Sequence, residues 1–188
     1  MTVAGAGAWA AAVGELFGGG WTFAAVGPRT DEDWRRDASA VMRLRTRDPR
    51  GWTMLNFAPE YSAGGSGRST EPFLPWSPDE LGGALFEIKP ESAAQLLVAL
   101  KGQWFQAANI PNFAHREEVL FRAARELLAR FGPEPACWTN RTAARGRPDA
   151  DLLNAEAEFE CLTGYTTDCG VVVASESEIG VFWAFFED

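Results

Sequence analysis

Cysteine is scarce in this sequence, with three residues in 188, and histidine occurs once. A disulfide-stapled secreted scaffold needs a dense, even set of thiols. Cys137, Cys161 and Cys169 do not supply one. Reduced thiols and a cytoplasmic location are therefore the expectation, with a Cys161–Cys169 bridge across a turn the one pairing left open. His115 and Glu118 share a helix face but make an incomplete metal site, because zinc sites take three or four side-chain ligands. No metal and no other cofactor is expected. Residues 1–26 are rich in Ala and Gly but hold no Lys or Arg and are interrupted by Glu15, which predicts no export signal. No run approaches about 20 apolar residues, so no membrane span is predicted.

Positive charge is missing from the last fifth of the chain. Residues 151–188 carry nine acids and no base, whereas the first 150 residues balance seventeen of each. The net charge of −9 therefore resides entirely in the C-terminal segment. Arg29 to Arg50, by contrast, holds seven arginines against five acids. Nucleic acid is an unfavourable partner for such a chain, since affinity there depends on neutralising phosphates.

What the sequence does have is apolar and aromatic residues, 46% and 12% of the chain, enough to fill a core without staples. Trp9, Val13, Leu16 and Phe17 recur at helical spacing before Gly18-Gly19-Gly20, so a helix opens the chain and a strand from Trp21 to Val26 follows. Alternation from Ala40 to Arg47, the turn residues Asp48-Pro49-Arg50-Gly51 and the run Trp52 to Ala58 predict a hairpin. Residues 62–75 read as a Gly/Ser/Pro-rich loop, and Ser77-Pro-Asp-Glu80 as a capping box. A brief strand at Leu85–Lys89 precedes two helices. One starts at Pro90 and carries Ala93, Leu96, Leu97, Leu100 and Trp104 on one face. The other, capped by Asn112, runs through Phe113, Leu120, Ala124, Leu127 and Leu128 to Phe131. Their short connection predicts a helical hairpin. Strands are expected at Cys137–Asn140, Glu156–Cys161, Val171–Ala174 and Ile179–Phe186, the last apolar at both parities and hence central. The expectation is a single α+β domain over 1–188, with a mixed or mainly antiparallel sheet and the helical hairpin packed on one face.

Few motifs carry chemistry. Gly64 to Thr70 only superficially matches a phosphate-binding loop, and Pro72 and Pro75 argue against the helix that must follow it. A Cys–His nucleophile would need His115 beside one of the three thiols. The geometric expectation concerns charge: Arg43, Arg45 and Arg47 on one strand face and Glu156, Glu158 and Glu160 on another either pair as a cross-strand ladder or leave the glutamates free. Free, they would present a negative face to a basic protein, together with Asp168, Glu176 and Glu178, with Tyr165 as the aromatic anchor.

In general character, small, acidic and α+β, the chain is similar to bacterial immunity proteins, a likeness of composition and shape that assigns no residue. The functional expectation is an acidic intracellular binding or inhibitory protein. The alternatives are an enzyme with a pocket between helical hairpin and sheet, or a homodimer built on exposed aromatics.

Overall fold

The structure is a computed structural model and describes residues 3–46, 48, 53–56, 72–156 and 158–186. Helix α1 (Val3–Phe17) buries Trp9, Val13, Leu16 and Phe17 as one stripe and stops at the glycine triplet. Gly19 and Gly20 there take φ of 109° and 141°, backbone that a side chain would disfavour. Strand β1 (Trp21–Pro28) follows.

The next segment corrects the sequence reading. Residues 40–46 do not form a strand: helix α2 (Trp34–Met42) runs into this region, with the Asp33 carboxylate accepting from the Arg35 N–H as its N-cap. Ala38, Val41 and Met42 are buried at helical spacing, and this outweighs the accidental alternation of apolar residues beyond Ala40. Strand β2 (Met54–Asn56) pairs antiparallel with β1, not with an Ala40–Arg47 strand. Most of the proposed turn, Arg47 included, and most of the Gly/Ser-rich loop with the Gly64–Thr70 motif lie outside the described residues.

The capping box opens α3 (Pro78–Ala84) with both reciprocal Ser77–Glu80 bonds. Strand β3 (Phe86–Ile88) leads into α4 (Pro90–Ala99), with Pro90 in the first turn. Helix α5 (Phe113–Ala129) packs on α4 as a hairpin. Two details differ from expectation. Asn112 is left-handed (φ 56°) and its side chain makes no capping bond, and Trp104 lies beyond the end of α4. Strands β4 (Ala136–Thr139), β5 (Thr167–Ala174) and β6 (Glu178–Phe186) complete the sheet.

Among the described residues six strands run antiparallel to their neighbours in the order β2-β1-β6-β5-β4-β3, and the fold is α+β. Strand β6 lies inside the sheet and both its faces are covered. Phe182 and Ala184 face the layer of α1, α4 and α5, while Val181, Trp183 and Phe185 face the layer of α2, α3, Phe73 and Leu162. Gly170 stands opposite Trp183, where a Cβ would overlap the indole. No helix among the described residues is long and apolar enough to cross a membrane.

The register fixes two ends of the sheet. At one, β6 finishes and β1 and β5 begin, with Trp21 opposite Phe185 and Thr167 opposite Phe186. At the other, β5 turns into β6 through Ser175–Ser177. Eight residues of strand separate the ends by roughly 25 Å.

Candidate functional site

That separation divides the acidic residues singled out from the sequence. Glu156, Glu158 and Glu160 are exposed at the end where β6 finishes; Glu176 and Glu178 belong to the opposite turn. Glu178 is also engaged, accepting two 2.9 Å bonds from Arg130, whose third contact is Asp48. Seven residues expected on one face therefore do not meet on one face.

No strand forms at 156 or 158–160 either. Phe159 makes only an isolated bridge to Arg141, and the backbone bonds of the segment run to loop partners: Asn140 Nδ2 donates to the Glu160 carbonyl, and the Thr142 N–H to that of Glu158. The arginine ladder does not form among the described residues, which leave out Arg47. Arg43 caps the C-terminus of α2, and among the described residues neither Arg43 nor Arg45 pairs with Glu156, Glu158 or Glu160. Glu160 instead meets Arg145 at 2.8 Å, and the Glu158 carboxylate accepts from the Thr142 hydroxyl. Glu156 has no ion-pair partner among the described residues.

Tyr165 and Asp168 require a second correction, because both are buried. Tyr165 is 3% exposed, stacked on Phe185 and tilted against Trp21. Asp168 is fully buried and accepts from Trp183 Nε1 (2.8 Å), Thr163 Oγ1 (2.7 Å), the Thr163 and Leu162 N–H groups (2.9 Å each) and Asn140 Nδ2 (3.2 Å). Burial raises its pKa above the ordinary carboxylate value, against the pull of these donors. With its lone pairs used internally, Asp168 holds the 160–168 loop to the sheet and is not presented to a partner.

The exposed aromatic side chain that sequence reasoning missed is Trp104. It is 37% exposed and stacks on Phe186 (5.9 Å, 17°), which meets Phe105, which in turn meets Phe159. Trp104 and Phe105 are consecutive left-handed residues, with φ of 58° and 54°. For side-chain-bearing residues this costs on the order of 1 kcal/mol each and persists only where the surroundings impose it.

Arg141 imposes it. Its side chain is fully buried and its guanidinium donates to three main-chain carbonyls: Phe105 (2.9 Å), Ala155 (2.6 Å) and Glu156 (3.4 Å). One planar fork thus ties the aromatic turn to the start of the acidic loop. No carboxylate lies within ion-pair distance of it among the described residues, so peptide dipoles alone accommodate its charge.

Among the described residues no hydrogen bond joins His115 to a thiol; Cys137 and Cys161 are hydrogen-bonded to the Pro135 and Thr166 carbonyls. Burial pushes Cys137 and Cys169 up to about 12, and His115 is exposed in the first turn of α5. Cys161 is exposed, and all three cysteines are free. Among the described residues no group of His, Cys, Asp and Glu could hold a metal. Comparison with protein-family models, with curated proteins and with solved structures finds no match to the chain.

Proposed function

We propose that the chain is a small acidic binding or inhibitory protein that engages a basic protein through the end of the sheet where Trp104 stands beside Glu156, Glu158 and Glu160. The observation that supports this reading is the Arg141 fork, which spends a fully buried charge on fixing an exposed indole next to an acidic loop. A surface of this kind has the two parts that recognition uses. A rigid aromatic anchor supplies contact area at small entropic cost, and unpaired carboxylates accelerate encounter with an opposite charge. Glu160 is offset by Arg145, so Glu156 and Glu158 carry the outward field. A cytoplasmic location and a basic intracellular partner belong to the same proposal.

The test is affinity capture from lysate of the source cells at low and moderate salt, comparing the native chain with Trp104→Ala and with Glu156→Gln/Glu158→Gln. The reading expects a basic protein retained at low salt, weakened by salt and lost with either variant. Identical captured sets from all three chains would overturn it.

A further inference from the structure

Lysine occurs twice in the chain, as Lys89 and Lys101, in contrasting surroundings. Lys89 is exposed at the N-terminus of α4. Lys101 is half-buried just past the other end of α4, where it lines a cleft of about 290 Å³ together with Leu16, Trp21, Leu100 and Phe186.

The charged groups around Lys101 are few. Its Nζ donates to the main-chain carbonyl of Glu15, and the Glu15 carboxylate is taken by Arg116. No carboxylate pairs with Nζ within 4 Å among the described residues. Burial lowers the Lys101 pKa; the Glu15 charge opposes this and the Arg116 charge adds to it. The amine is therefore unprotonated more often than that of a freely solvated lysine.

An anion is a poor occupant of this cleft. The last carbonyls of α1 border it with their negative dipole end, and the chain as a whole carries −9. A neutral molecule with an apolar body meets neither penalty and matches the walls. An electrophilic carbonyl would give it a bond to make.

We infer that the cleft takes small apolar aldehydes or ketones and that Lys101 captures them reversibly as an imine. The Nζ lone pair adds to the carbonyl carbon, forming C–N as the C=O π bond opens. The carbinolamine then loses its oxygen as water, and both nitrogen protons leave with that water or to solvent. No electrons are exchanged, so no oxidant or reductant is needed. The inference is independent of the acidic surface.

Benzaldehyde with sodium cyanoborohydride, which reduces the imine to a stable benzylamine, tests it on the native chain, read by peptide mapping. Lys101 is expected to be benzylated several-fold more than Lys89 at neutral pH, the preference vanishing in guanidinium chloride. Benzyl alcohol, which has the ring but no carbonyl, should slow labelling at Lys101 and leave Lys89 unaffected. Equal labelling of the two lysines in the folded chain, or labelling of Lys101 that benzyl alcohol does not slow, would overturn the inference.

Discussion

The Arg141 guanidinium donates to the Phe105 carbonyl at 2.9 Å, across 36 residues of sequence, and holds Phe105 and its neighbour Trp104 in left-handed backbone. The same group holds the Ala155 carbonyl at 2.6 Å. Two loops distant in sequence thereby become one surface, with the cost of burying a charge met by carbonyl dipoles.

Arg141→Met should lower unfolding stability by about 3 kcal/mol, since each of three orphaned carbonyls costs roughly 1 kcal/mol. Arg141→Lys, with a compact ammonium in place of the fork, should fall between Met and the native residue. Urea denaturation midpoints decide; a Met variant as stable as the native chain would deny the clamp its role.

Trp104→Asn separates strain from function. Asn tolerates left-handed backbone, so losing the stack on Phe186 is offset by relieved strain and stability should stay within about 1 kcal/mol of native. Partner capture should nonetheless disappear.

Asp168→Asn places an amide among groups that all donate, and should cost about 2 to 3 kcal/mol at neutral pH. Its pH dependence has a definite sign. Because burial raises the folded-state pKa above the unfolded one, the folded chain holds the Asp168 proton more tightly, and this site contributes stability that is lost as pH rises between the two values. Relative to the Asn variant, the native chain should therefore gain stability as the pH falls toward the ordinary carboxylate pKa from above. Parallel stability curves for the two chains would refute this.

A thiol reagent such as dithionitrobenzoate should modify Cys161 alone in the folded chain and all three cysteines after unfolding. Burial, then the Asp168 and Glu160 charges, raise the Cys161 pKa, so the reaction should be slow at neutral pH and accelerate as pH rises. Rapid modification of Cys137 or Cys169 in the folded chain would contradict their burial.

The parts of the fold legible in the sequence are those set by local pattern. The α1 stripe, the Ser77–Glu80 capping box, the α4–α5 hairpin and the doubly apolar β6 each follow from residues within a few positions of one another. Helix α2 was legible too, through Asp33 as an N-cap, but alternation beyond Ala40 obscured it. Among the described residues the Glu156–Cys161 alternation makes only the single Phe159–Arg141 bridge, and its loop is held by Asn140 and Thr142. For the site, the exposure of the three glutamates followed from charge. The burial of Tyr165 and Asp168 did not, because Trp183, Asn140 and Phe185 reach them from elsewhere in the sheet. Arg141 reads as one more base in a polar loop, since its acceptors lie 14, 15 and 36 residues away.

The central claim is that recognition belongs to the Trp104 end of the sheet and not to the Ser175–Ser177 turn. The most direct measurement is the association rate constant of the captured basic partner with Glu156→Gln/Glu158→Gln and with Glu176→Gln, at two salt concentrations. Slower association and a shallower salt dependence for the loop variant, with Glu176→Gln indistinguishable from the native chain, is the predicted result. Equal slowing by both variants, or slowing by Glu176→Gln alone, would contradict it.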